Sequence, residues 1–152
     1  MKLSLMLLTL GLSFSALACP NLRGTYNSCS VVSGDQGDGP TLRSMTMSQS
    51  DNSAGGTVYT MVSTDDEGTQ TESVTADGRP DITTEVVDGA VETTTLVTSC
   101  QNNVLKTDIT VSVSVPDVGD FSFSGKSEIK KADGALVLSM KAEDASFTIV
   151  CR

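Results

Sequence analysis

The stretch Val104-Leu105-Lys106-Thr107-Asp108-Ile109-Thr110-Val111-Ser112-Val113-Ser114-Val115 decides the fold. Leu105, Thr107, Ile109, Val111, Val113 and Val115 alternate with Lys106, Asp108, Thr110, Ser112 and Ser114. Successive Cβ atoms of a strand point to opposite sides of the pleat, so a period of two marks a strand with one dry face and one wet face. The pattern repeats downstream. Phe121, Phe123 and Ile129 share one parity, while Ser122, Ser124, Lys126, Glu128 and Lys130 share the other. Ala132-Asp133-Gly134 supplies a tight turn, after which Leu136, Leu138 and Met140 alternate again. A turn at Glu143-Asp144 leads to Phe147, Ile149 and Cys151. Four strands joined by short turns make an antiparallel meander.

Upstream the same grammar holds with more Thr. Strands are expected near 24–32, 41–50, 56–64, 69–76, 82–87 and 91–100. The connections between them are dense in Gly, Asp, Asn and Pro: 34–40, 51–56, Asp65-Asp66-Glu67-Gly68, Asp77-Gly78-Arg79-Pro80 and Asp88-Gly89. Thr suits a strand through its branched Cβ and suits water through its hydroxyl. No segment carries apolar residues at helical spacing. The expected fold is all-β, an antiparallel up-and-down meander closed into a small barrel of eight to ten strands, with a β-sandwich as the alternative. Closure is favoured because it removes exposed sheet edges.

Composition narrows function by exclusion. The chain has 152 residues, enough for one domain, with 10 basic and 19 acidic side chains and a formal charge of −9. That balance argues against nucleic acid as a partner, whose recognition needs a basic footprint, and against an anionic lipid surface. Ser and Thr number 39, and there is no His, so no His-based triad, metal site or proton shuttle can form. The carboxylates of Asp65-Asp66-Glu67 and Glu143-Asp144 sit in expected turns, where nothing would desolvate them. No Ser stands in a G-x-S-x-G motif, and there is no phosphate-binding Gly-rich loop. Asp35, Asp38 and Asp51 do not follow the order of a calcium-binding loop. No catalytic residue, metal site or cofactor is assigned, and the chain is read as not an enzyme.

Residues 1–18 read as a secretory signal peptide: Lys2, a Leu-rich apolar run to Leu17, and Ala16-Leu17-Ala18 before a cut at Cys19. The run is too short for a transmembrane span. Residues 19–152 are then a single β-barrel domain, exported to a periplasmic or extracellular space. Loss of Lys2 takes its charge to −10. A lipid anchor on Cys19, as in a lipoprotein, is the alternative. Cys19, Cys29, Cys100 and Cys151 are an even set in an exported chain and so read as two disulfides. Three connectivities are open. The expectation taken is Cys19–Cys29, closing a short N-terminal loop, with Cys100–Cys151 tying the late strands together.

Asn21-Leu22-Arg23-Gly24-Thr25-Tyr26 resembles the opening of the lipocalins and fatty-acid-binding proteins. Those families begin their barrel with an apolar residue followed by G-x-W or G-x-Y, and Leu22, Gly24 and Tyr26 stand at these places. They close with an Arg packed over the first-strand aromatic, a place offered here by Arg152. The resemblance implies an up-and-down barrel with a cup for an apolar small molecule or lipid.

Parity and the soft character of Met suggest Tyr26, Met45, Met47, Met61, Ile109, Val111, Phe121, Phe123, Leu138 and Met140 as its lining. A packed core would use the same side chains. Two functions therefore remain open. One is a barrel carrying an apolar ligand. The other is an envelope or secreted interaction protein with a filled core, meeting a protein partner through its Ser/Thr-rich surface. An outer-membrane barrel is excluded, because the face opposite the apolar one is Ser, Lys, Asp and Glu and no aromatic girdle is present.

Overall fold

Three of the turns are made by paired residues that both hold a positive φ: Asp88-Gly89 (51° and 84°), Asn102-Asn103 (51° and 61°) and Asp133-Gly134 (51° and 81°). The residues flanking each pair face one another across a ladder, Val87 with Ala90, Gln101 with Val104, and Ala132 with Ala135. Such two-residue loops match the right-handed twist of the strands they join. They lock the register of the meander from one hairpin to the next.

The computed structural model describes residues 19–34, 40–143 and 145–152. The expected leader, Asp35, Asp38 and Asp144 lie outside the described residues. Eleven strands are described: β1 (Gly24–Tyr26), β2 (Cys29–Gly34), β3 (Ser44–Asp51), β4 (Thr57–Thr64), β5 (Thr69–Ala76), β6 (Pro80–Val87), β7 (Ala90–Gln101), β8 (Val104–Val115), β9 (Gly119–Ala132), β10 (Ala135–Ala142) and β11 (Ser146–Cys151). Among the described residues there is no helix. All hydrogen-bonded neighbours among them are antiparallel, in a four-stranded sheet ordered β1-β3-β4-β5 and a seven-stranded sheet ordered β2-β11-β10-β9-β8-β7-β6.

The two sheets meet where the chain bends from one into the other. The backbone N–H groups of Asn27 and Ser28 donate to the Arg152 carbonyl (2.7 and 3.1 Å), while that of Cys29 donates to the Arg43 carbonyl (2.9 Å). The β1–β2 segment is therefore bonded to β3 on one side and to β11 on the other. This is why the single strand expected over 24–32 is two. At the opposite seam, where the chain reverses between β5 and β6, the Gly78 N–H donates to the Thr98 carbonyl (2.8 Å), extending the β6–β7 contact into that turn. Taking β1–β2 as one bent strand leaves ten staves in up-and-down order, within the expected eight to ten, with β5 and β6 side by side at the one seam that no ladder bridges.

Side chains from both sheets share one core. Met45, Met47 and Tyr59 of the smaller sheet join Leu105, Ile129, Leu136, Ile149 and Cys151 of the larger, with Tyr26 and Leu22 between them. These residues lie toward one end of the barrel. That end is stoppered by the segment 19–23, in which Pro20 and Leu22 are fully buried. The Tyr59 hydroxyl donates to the Pro20 carbonyl (2.7 Å) and the Tyr26 hydroxyl to the Leu22 carbonyl (2.9 Å). Burial pushes the Tyr59 hydroxyl up to about 12, with the nearby Asp51 carboxylate adding to the rise.

The disulfides correct the expected pairing. Cys19 is bonded to Cys100 and Cys29 to Cys151, with Cα separations of 5.0 and 4.0 Å. Neither Cys19–Cys29 nor Cys100–Cys151 forms. The reason is closure itself: the first strand returns to lie beside the last, so Cys29 and Cys151 are direct partners in the β2–β11 ladder. Cys19, on the stopper, crosses to the end of β7. The bonds span 81 and 122 residues, and either closure taken alone restricts the unfolded chain by about 4–5 kcal/mol. The sulfur on which a lipid anchor depends is thus bonded to Cys100.

Candidate ligand cavity

The inward parity of each strand can be followed across the registers. Met47 faces Met61, Met45 faces Ser63, and Met61 faces Glu72. On the larger sheet Leu96 faces Ile109, Thr98 faces Thr107, and Leu105 faces Ile129, which faces Leu138. Where these two concave surfaces separate, above the closed end, they enclose a cavity of about 250 Å³. Its apolar walls are Met45, Met61 and Val74 on one side and Leu96, Leu105, Ile109, Ile129, Leu138 and Met140 on the other. Thr107, Ser127 and Ser63 bring hydroxyls to it, and Glu72 stands at the exposed edge. Thr98 is the buried polar residue beneath, its Oγ1 sharing a hydrogen bond with that of Thr107 (2.9 Å).

The cavity does not end there. Ile109 and Met140 also line an adjoining groove of about 230 Å³, completed by Val111, Phe123 and Phe147. It exists because β7, β8 and β9 run for 12, 12 and 14 residues, whereas the strands β3, β4 and β5 of the smaller sheet have eight each. The long hairpins overhang, and their concave face beyond Ile109 has no sheet opposite. Phe121 is consequently 47% exposed and Phe123 60%.

The candidate lining residues divide accordingly. Met45, Met61, Ile109, Leu138 and Met140 line the cavity, and Val111 and Phe123 line the groove. Tyr26 and Met47 are core, 3% and 2% exposed, packed beneath the cavity floor. Phe121 lies one row beyond the groove, opposite Val113. Val74, Leu96 and Glu72 were not singled out from the sequence. Thr-rich surroundings blur the alternation of β5 and β7, and parity emerges there only through the register with β4 and β8.

Of the opening motif, Gly24 has a φ of 154°, and a Cβ at that position would meet the Tyr26 ring at 3.2 Å. Glycine is required because the ring folds back over it. The cation over that ring is Lys131, its Nζ 5.7 Å from the centroid, and not Arg152 as the resemblance implies. Arg152 instead joins the β1–β2 bend through its backbone, its N–H donating to the Ser28 carbonyl at 2.9 Å.

Two other hollows are less suited to an apolar guest. One, of about 480 Å³, lies outside the closed end among the turns at 54–57 and 76–79, with polar walls. The other, of about 370 Å³, occupies the seam behind Val74 and Leu96, with Asp77, Arg79 and Asp81. Among the described residues no group of three or more His, Cys, Asp or Glu is placed to hold a metal ion. No described helix is long and apolar enough to cross a membrane.

No family model matches the chain, and no curated protein matches it. Among solved structures it is similar to the crystal structure of the fatty-acid-binding protein isolated from Manduca sexta, with 15% identity and a TM-score of 0.45. The similarity covers 86% of this chain and 98% of that one.

Proposed function

We propose that this chain is an exported, non-catalytic carrier of an apolar small molecule, held in the cavity between the two sheets and along the overhanging groove. The observation that carries the reading is the continuity of the two spaces through Ile109 and Met140, walled by methionine, branched aliphatic and aromatic side chains. Ligand pockets are concave, mostly apolar and furnished with a few polar groups, which is the character of this lining. Export is supported by the two disulfides, which persist in oxidising compartments, and by the leader-like residues 1–18.

The test is a titration with Nile red, an uncharged apolar dye, on the mature, disulfide-bonded protein. The expected result is saturable, blue-shifted fluorescence. Met61→Trp, which fills the cavity from the smaller sheet, should weaken binding about tenfold, roughly 1.4 kcal/mol, while circular dichroism stays unchanged. Absence of saturable binding by the folded wild-type protein overturns the reading. A second reading, that of a protein-interaction module, draws on β6: all eight residues of this sheet edge are exposed, Ile82, Val86 and Val87 among them. It predicts capture of a partner that survives Met61→Trp and is lost on replacing Ile82 and Val86 by Lys.

A further inference from the structure

We infer that the apolar molecule carries a cationic head, as an alkylammonium amphiphile does, rather than a carboxylate; this rests on the carrier reading above. The argument is one of charge on the concave surface. Glu72, opposite Met61, lines the cavity at its exposed edge. One row beyond the groove residues Val111 and Phe123, the register runs Glu85, Glu92, Val113, Phe121. Adjacent same-face rows are about 7 Å apart along a strand, so a tail in the groove places its head among these carboxylates. Glu85 and Glu92 face each other directly, a like-charge pairing that destabilises a ladder unless a cation sits between or beside it.

Among the described residues no Lys or Arg lines the cavity, and Lys141 alone of them lines the groove; Arg43, which continues the β3 row beyond Met45, lines neither. Lys106 and Lys126 are on the outer face, in ion pairs with Glu128 and Asp108. Lys141, at the groove rim, stands opposite Lys126 in register and so shares that outer parity. Lys131 is committed to Tyr26 at the closed end, and Arg79 lies in the seam with Asp77 and Asp81. A carboxylate drawn into the cavity would lose its hydration without gaining a counter-ion, which is strongly unfavourable. A cation would keep water on one side and meet carboxylates on the other.

Competition of Nile red by dodecyltrimethylammonium, dodecanol and dodecanoate, below their micelle concentrations at neutral pH, tests this on the mature protein. The cation should compete most strongly, about tenfold better than dodecanoate, with an advantage that shrinks as salt rises. Glu72→Gln and Glu92→Gln should each reduce that advantage about threefold, read as the ratio of the cation's apparent affinity to that of dodecanoate on the same variant. Glu72→Lys combined with Glu92→Lys should turn the preference toward dodecanoate. Equal or stronger binding of dodecanoate by the wild-type protein overturns the cationic head and leaves the carrier intact. So does a preference that neither Gln variant alters. Failure of Nile red and all three competitors to bind the folded protein overturns the carrier and the head together.

Discussion

The two ends of this barrel are built from the same strands with the same inward parity, yet they have opposite fates. At the closed end, Leu105, Ile129, Leu136 and Ile149 are buried beneath the stopper of residues 19–23, which the Cys19–Cys100 bond pins in place. At the open end, Val111, Val113, Phe121 and Phe123 continue the inward row of β8 and β9 without a sheet to cover them. Burial stabilises the first set by roughly 1.5–3 kcal/mol per large side chain. The second set contributes little to the fold while exposed aromatic surface stays in water. Apolar residues kept where folding gains least are a mark of a binding surface.

Placing one charge at each end tests that contrast most sharply. Ile149, 4% exposed, stands between Leu138 and Val31. Ile149→Asp would bury an unpaired carboxylate at a cost of several kcal/mol, on the order of the whole stability of a small domain. No cooperative unfolding transition should remain in a denaturant titration. Phe123→Asp, at a position largely in water, should cost less than about 1 kcal/mol and keep its transition while losing Nile red binding. A cooperative, soluble Ile149→Asp protein would show that the inward parity of β11 is misassigned.

The sequence disclosed the closed end better than the open one. Alternation over Leu105 to Val115 and the Asp-Gly turns located the late strands, and the first-half strands fell within a few residues of their expected bounds. What alternation does not encode is how far the opposing sheet reaches. Phe123 and Ile129 have the same parity, yet one is exposed and the other buried, because β9 outruns its cover. Strand pairing also lies beyond a local reading. The short-loop disulfide Cys19–Cys29 followed sequence proximity, whereas closure brings the first strand against the last and sets Cys29 beside Cys151. Glu85 and Glu92 could be assigned a face only through the β6–β7 register, so the acidic character of the groove mouth was hidden among Thr residues. The acidic excess is therefore not confined to turns.

The stopper gives a second test, intermediate in size. Replacing Cys19 and Cys100 together by Ser should lower stability by about 2–5 kcal/mol, measured as a shift in denaturant midpoint. Tyr59 reports whether the loss is local, since its hydroxyl is bonded to Pro20 on that segment. In the intact protein the raised value near 12 means that the folded state holds the phenol proton after an unfolded chain has released it. Stability from this group is fully present below about pH 10, the ordinary tyrosine value, and is lost as pH rises toward 12. In the double-Ser variant, water reaching the ring should bring the phenolate absorbance change down toward pH 10. An unmoved titration would mean that Pro20 and Leu22 hold the stopper without the disulfide. Removing the Cys29–Cys151 bond instead should cost a similar amount of stability and leave the Tyr59 titration in place.

The outer face carries the smallest expected effects, and there the two ends should differ only slightly. Lys106–Glu128 and Lys126–Asp108 are directly opposed pairs across β8 and β9, each with a 3.1 Å contact. Exposed pairs of this kind couple by about 0.2–1 kcal/mol. The pair nearer the closed end is the less exposed, at 37% and 49% against 74% and 64%. Double-mutant cycles to Gln and Asn should therefore give a larger coupling for Lys106–Glu128, and roughly 1 M salt should erase both. Equal couplings would place the difference between the ends wholly on the inner face. There the stopper and the opposing sheet decide which apolar side chains hold the fold together and which stay free to hold a guest.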